Sequence, residues 1–383
     1  MKYIKNAINP LTNKKTSILI KDDKIYKKDS DAEKLIAENS FDYKIIDAKN
    51  NYVMTSFTDT HFHLRNPGFE YKQTYEEAAI ACMKGGYTDV IAMANTKPVC
   101  DKVEVFDTIK AGMKNLPLRV YQVGSVTKNL QGKELTDYKK LLEYTHIFSD
   151  DGKNVDDPEI MKQALKLSAE YNFLIMDHSQ PETEMVIRNI KLAEETGGRL
   201  HFCHISKKNS ALAIIKAKEK NTNITFEVTP HHIFSSNLDY RVNPPIAGEE
   251  DRKFLIDAIK KGYVDSIGTD HAPHTEEDKQ NGSPGIINIE NAYSMVNRVF
   301  YDNDIPKKTL IQMMCIFPSD LIGKTRSLEP GNVADIVIFD DKDDRLDINK
   351  LSTRSKNTPY DKREIKGHIL MTICSGKIEY NTL

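Results

Sequence analysis

The chain lacks a surplus of either charge, an apolar run long enough for a bilayer, and any closely spaced cysteine pair. Its 383 residues hold 54 Lys and Arg against 56 Asp and Glu, a formal net charge of −2. That balance gives no electrostatic case for binding nucleic acid or an anionic membrane. No stretch approaches the roughly 18 apolar residues of a membrane span. Met1-Lys2-Tyr3-Ile4-Lys5 has none of the apolar core of a secretory leader, so a cytoplasmic protein is expected. The five cysteines (82, 100, 203, 315 and 374) form no CxxC and cannot all be bridged internally, so they read as reduced thiols. Low-complexity tracts, short tandem repeats and Gly/Ser/Pro linkers are also missing.

What is present is an alternation of strand-like and helix-like segments. Strands are expected at 53–63, 89–94, 118–126, 145–149, 173–178, 199–206, 224–229 and 266–270, where β-branched and aromatic residues concentrate. Helical spacing fills 75–84, 103–114, 158–171, 182–195, 209–220, 250–261 and 289–300. Eight such units predict an α/β fold, a (β/α)8 barrel over 52–327; a doubly wound sheet is the competing arrangement. Residues 1–51 and 328–383 carry only short strand signals. Together they predict one small β domain built from both chain ends.

The polar residues fall where such a barrel keeps its active face, at the C-terminal ends of strands. The successive ends read Asp59-Thr60-His61-Phe62-His63-Leu64-Arg65, Ala94-Asn95, Ser149-Asp150-Asp151-Gly152, Asp177-His178, Cys203-His204, Thr229-Pro230-His231-His232 and Thr269-Asp270-His271-Ala272-Pro273-His274. Period-two alternation puts His61 and His63 on one face, with Asp59 beside them. An HxH pair with His178, His204, Asp151 and Asp270 at neighbouring ends suits a metal: zinc, or iron, cobalt or manganese. Alternation sends His201 to the face opposite His204, toward the helix layer, and Cys203 the same way, as a packing residue. It does not choose between Asp150 and Asp151, or between His231 and His232 as a supporting partner. Arg65 can lean over the same mouth and pair with a substrate carboxylate, with Asn95 and His274 completing the recognition set.

These motifs, in this order, resemble the amidohydrolase superfamily and, within it, the bacterial type I dihydroorotase family. The match runs from the DxHxHLRxPG pattern at 59–68 through Asn95-Thr96-Lys97-Pro98, the SDDG and NPP runs, and GNVADIVIFD at 331–340. The resemblance implies reversible, zinc-dependent cyclisation of N-carbamoyl-L-aspartate to L-dihydroorotate in pyrimidine biosynthesis. It implies two zinc ions: His61, His63 and Asp270 at one, His178 and His204 at the other, and Asp151 shared between them. Asp270 is the implied proton carrier. His63, Arg65, Asn95, Asn243, His274 and the Pro284-Gly285 backbone are the implied substrate contacts. A second copy of the chain or an aspartate transcarbamoylase is the implied partner. The chain departs from the family at Thr55-Ser56, where Pro-Gly is usual, and at His178-Ser179-Gln180, where His-Cys-Glu is usual. Hydantoinases and allantoinases, which bridge their metals with a carboxylated lysine, and a non-catalytic scaffold are the alternative readings.

Overall fold

The computed structural model describes residues 1–38, 42–220 and 223–383. Its strands are β1 (Lys2–Asn9), β2 (Lys14–Lys21), β3 (Lys24–Lys28), β4 (Lys44–Asp47), β5 (Tyr52–Thr55), β6 (Phe57–Phe62), β7 (Tyr87–Ala92), β8 (Arg119–Gln122), β9 (Ile147–Phe148), β10 (Leu174–Asp177), β11 (Arg199–Phe202), β12 (Ile224–Val228), β13 (Ser266–Ile267), β14 (Ile336–Phe339), β15 (Asp343–Arg345), β16 (Glu364–Lys366), β17 (Ile369–Cys374) and β18 (Lys377–Asn381).

Strands β6 to β13 are the eight expected. They pair in parallel in two runs, β6-β7-β8 and β9 to β13. The runs join through bridges from Gly124 to Phe148 and from Phe62 to His271, which close the barrel. At the second seam the Asp270 amide donates to the His61 carbonyl at 2.9 Å and the His63 amide to the His271 carbonyl at 3.1 Å. The first and last strands are therefore stitched together at the HxH motif itself.

The helices follow from local chemistry. Tyr75–Gly85 starts at a Thr74–Glu77 capping box, and Gly86 ends it at a φ of +86°. Pro158–Tyr171 starts with Asp157 as cap and proline in its first turn. Between β8 and β9 only a 3-10 turn, Lys128–Leu130, and the short helix Tyr138–Leu141 form. Residues such as Ala78, Val105, Val90 and Phe202 build the layer between strands and helices. The opposite faces of the same strands bury Ile91, Met93, Val123, Leu174, Met176 and Cys203 inside the barrel. This apolar plug forms the floor on which the polar mouth stands. No helix among the described residues is long and apolar enough to cross a membrane.

A second sheet takes strands from both chain ends in the order β18-β17-β14-β5-β1-β2-β3, with β4 beside β1. Ile4, Ile18, Ile20, Val53, Ile336, Ile338 and Ile373 form its core. The expected 53–63 strand is two strands, broken at Ser56. β5 pairs with β14 in the terminal sheet, and only β6 belongs to the barrel. The sequence showed no break there because Thr55-Ser56 supplies neither the Pro nor the Gly that would mark one.

Candidate active site

One cavity of about 200 Å³ opens at the C-terminal ends of the barrel strands. Of the twelve site residues expected from sequence, His63, Arg65, Asn95, Asp151, His178 and His204 line it, as do Asn243, Asp270, His274, Pro284 and Gly285. His61 lies just beneath, fully buried. Ligand atoms converge in three groups, each with its atoms within 4.8 Å of one another: His61–Cys203–Glu227 beneath the cavity, and His61–His63–Asp151 and Asp151–His178–His204 at its floor. Asp151 belongs to both floor groups. Asp150 is occupied elsewhere, accepting from the Thr127 amide at 3.0 Å and from the Thr127 hydroxyl, so of the two it is Asp151 that faces the cavity.

The hydrogen bonds show what the groups can hold. His61 Nδ1 faces Glu227 Oε1 at 2.9 Å, and His63 Nδ1 faces Asn95 Oδ1 at 3.1 Å. A neutral imidazole carries one N–H, so donating from Nδ1 leaves a lone pair on Nε2. His63 Nε2 then faces Asp270 Oδ1 at 3.0 Å, and His61 Nε2 faces Asp151 Oδ1 at 3.3 Å. His178 Nδ1 and His204 Nε2 approach to 2.9 Å. His61 Nε2 and Asp151 Oδ1 are buried with no hydrogen-bond partner. Facing lone pairs need a cation between them, either protons or a metal, and imidazole with carboxylate is a donor set that zinc accepts. The residues present therefore fit a metal centre.

Charge follows the same logic. Burial pushes the Asp151 carboxyl up, but the positive charge that His61 carries when a proton fills the gap between them, with the His178 and His204 rings 3.3 and 3.5 Å away, outweighs it and holds it well below the usual range. Burial also opposes ionisation of Asp270, and when a proton fills the 3.0 Å gap to His63, that hydrogen bond and the positive charge on the His61, His63 and His204 cluster again win. On the far wall, Arg65 donates from Nε to the Pro273 carbonyl at 3.1 Å and lies 3.0 Å from His274 Nε2. Burial lowers its pKa to about 10, so it stays cationic at neutral pH. Burial and the charges of Arg65 and Lys72 push His274 down to about 3, so its ring is neutral. The cavity is thus polarised, with carboxylates at one side and a guanidinium at the other.

Asn243 donates to Gln180 Oε1 at 2.7 Å and sits 3.3 Å from His178 Nε2, beside the Asp151–His178–His204 group. Asn95 is tied to both His63 and Asp151, the latter at 3.3 Å. Gly285 has a φ of +139°, and a Cβ there would come within 2.9 Å of His274 Cδ2. His232 bridges the Thr229 hydroxyl at 2.8 Å and the Pro244 carbonyl at 3.1 Å, holding the Asn243 loop. His231 instead faces Asn288 at 2.8 Å; neither joins a ligand group.

Three face assignments are corrected. Asp59 does not join His61 and His63; it accepts from the Thr269 amide at 2.8 Å and hydroxyl at 2.6 Å. The register of β6 shifts between Phe57 and Thr58 and again between Asp59 and Phe62, which breaks period two. His201 and Cys203 point into the barrel rather than to the helices. His201 Nε2 is 3.4 Å from Glu227 Oε2, and Cys203 lies with His61 and Glu227. His204 has a φ of +39°, so the backbone turns there and brings its side chain to the same mouth.

Sequence reasoning missed Glu227, Lys72 and Asn357. Lys72 Nζ is 3.1 Å from His274 Nδ1 and 3.3 Å from Asp278. Asn357 Oδ1 accepts from the His274 amide at 3.0 Å, and Nδ2 donates to the Ala272 and Gly285 carbonyls at 3.0 and 3.1 Å. Glu227 left one legible signal, a lone acid in the apolar run Ile-Thr-Phe-Glu-Val. Asn357 left none, because its partners are more than 70 residues away.

The chain is 38% identical to a dihydroorotase from Clostridium botulinum, with 98% of each chain covered. It is 36% identical to a dihydroorotase from Aquifex aeolicus, over 88% of this chain and 89% of that one. In fold it is similar to an L-hydantoinase from Arthrobacter aurescens, with a TM-score of 0.89 at 20% identity over 99% of this chain and 96% of that one. The amidohydrolase family model matches residues 52–378, which include every expected site residue. The chain belongs to the amidohydrolase family.

Proposed function

We propose that the chain is a zinc-dependent dihydroorotase that interconverts N-carbamoyl-L-aspartate and L-dihydroorotate with two ions per chain. One observation carries the reading: two ligand groups sharing Asp151 face the Arg65–His274 wall across one small cavity. The dihydroorotase relatives support it over near-complete length. His61, His63, Asp151 and Asp270 would hold one ion, and Asp151, His178 and His204 the other. When bound, such an ion acts as a Lewis acid that lowers the pKa of water to about 7 and draws charge from a carbonyl oxygen.

The chain's own residues do the rest. Arg65 binds the free carboxylate of the ring through charge-assisted hydrogen bonds, with neutral His274 beside it. Asn243 and the Pro284-Gly285 backbone bound the ring and fix its face toward the acidic wall, as positioning requires. Asp270, ionised at neutral pH, accepts the proton of the attacking water. It returns that proton to the ring nitrogen as the amide C–N bond breaks. Ring closure runs the same path in reverse. In this reading the protein works in the cytoplasm, with a second copy or an aspartate transcarbamoylase as its expected partner.

A substrate panel tests the assignment. L-Dihydroorotate should be hydrolysed, while hydantoin and allantoin, which lack the carboxylate, should turn over only in traces. Arg65→Met should raise KM for dihydroorotate about 10-fold or more, the worth of a charge-assisted pair, with a smaller change in kcat. Equal turnover of the carboxylate-free rings would contradict the proposal.

A further inference from the structure

Glu227 is a fully buried acid that the proposed chemistry does not use. Its carboxylate is ringed by donors from β6 and from β11 with the turn that follows it. Oε1 faces His61 Nδ1 at 2.9 Å and the backbone amide of His204 at 3.4 Å. Oε2 accepts from the Thr60 hydroxyl and lies 3.4 Å from His201 Nε2. Room for it comes from Gly268, where a Cβ would stand 2.5 Å from Oε2. Burying an ionised carboxylate is costly unless its partners return the cost, and packing alone would favour an apolar side chain here.

We infer that Glu227 is a positioning residue that prepares one ligand in each of the two groups sharing Asp151 for a divalent cation; this rests on the metal reading above. A carboxylate only accepts, so it places the His61 proton on Nδ1 and leaves the Nε2 lone pair facing Asp151 Oδ1, 3.3 Å away. The same oxygen meets the His204 amide where the backbone takes a φ of +39°, and so braces the turn that aims the His204 ring. Charge adds to orientation. With neutral imidazoles, Asp151, Asp270 and Glu227 set three negative charges against the four positive charges of two divalent ions. Without Glu227 only two remain, and the second ion meets the larger repulsion.

The experiment is zinc affinity by competition with a chromophoric chelator, for wild type, Glu227→Gln, Glu227→Ala and Glu227→Asp. Thermal melts of the zinc-free proteins are run alongside. Gln and Ala should weaken zinc binding about 10- to 100-fold, the usual loss for a partner of a metal-bound histidine, and Asp should recover part of it. Wild-type affinity in folded Gln and Ala variants would overturn the inference. A wild-type chain that binds no zinc would overturn the metal reading instead, and this inference with it. If the variants do not fold, histidine 15N spectra of the zinc-loaded wild type decide. A protonated Nδ1 with zinc on Nε2 of His61 is the expected result, and the opposite tautomer overturns it.

Discussion

Three of the proposed site residues hold backbone angles that side chains rarely adopt: Arg65 at +66°, His204 at +39° and Asp270 at +48°. Each such position costs of order 1–3 kcal/mol and persists only where surroundings over-determine it. At Asp270 the surroundings are the seam bond to His61 and the Asp59 grip on Thr269. The carboxylate is thus aimed by backbone, which lets its chemistry be tested apart from its position. Asp270→Asn should keep folding and most bound metal and lower kcat by ~10²-fold or more. Near-normal turnover would remove it as the proton carrier. The strained residues also mark where the sequence stops being legible. The HxH pair, His178 and Asp270 announce themselves by residue type at strand ends. Which way Asp59, His201 and Cys203 face depends on a bulge and a turned backbone that no pattern of residue types records.

At the scale of elements, the seven expected helices and eight barrel strands were legible because each is a local event, a run of periodic apolar residues, capped by a side chain at Thr74 and Asp157, or a short β-branched run. The loops after the strands are different, because distant residues set their conformation. The segment after β13 is clamped by Asn357, itself carried on the connection between β15 and β16. Gly285 closes that loop against His274, with no room for a side chain. Gly285→Ala would force the φ of +139° onto alanine and push against His274 Cδ2 and the Ala272 methyl. The expected result is a KM for dihydroorotate raised several-fold with metal content unchanged. An unchanged KM would mean that the loop does not shape the carboxylate wall.

Across the whole molecule, the barrel and the terminal sheet are joined through Asp89 at the start of β7. Arg119 pairs with it at 2.7 Å, Lys324 at 2.7 Å, and Arg326 also contacts it. Arg119 and Arg326 reach on to Asp335, beside β14, at 2.6 and 2.5 Å. Burial pushes the Asp89 carboxyl up, but the Arg119 hydrogen bonds and the charges of Arg326, Arg119 and Lys324 hold it far below the usual range. A carboxyl depressed in the folded state stabilises fully above its unfolded value of about 3.9, and the contribution fades as pH falls below that. Asp89→Asn should cost ~3–5 kcal/mol at pH 7, the penalty for stranding buried cations, and the gap to wild type should narrow below about pH 4. Melting curves across pH check this; a gap that stays constant in acid would contradict it.

The proposed chemistry depends on the two ligand groups around Asp151. The most direct test is metal analysis and dihydroorotate hydrolysis on one sample of the purified chain, before chelation, after it, and after zinc is returned. About two ions per chain are expected, with activity lost and regained in step with them. Hydrolysis that persists in the metal-free chain, or a folded chain that retains no metal, would contradict the account.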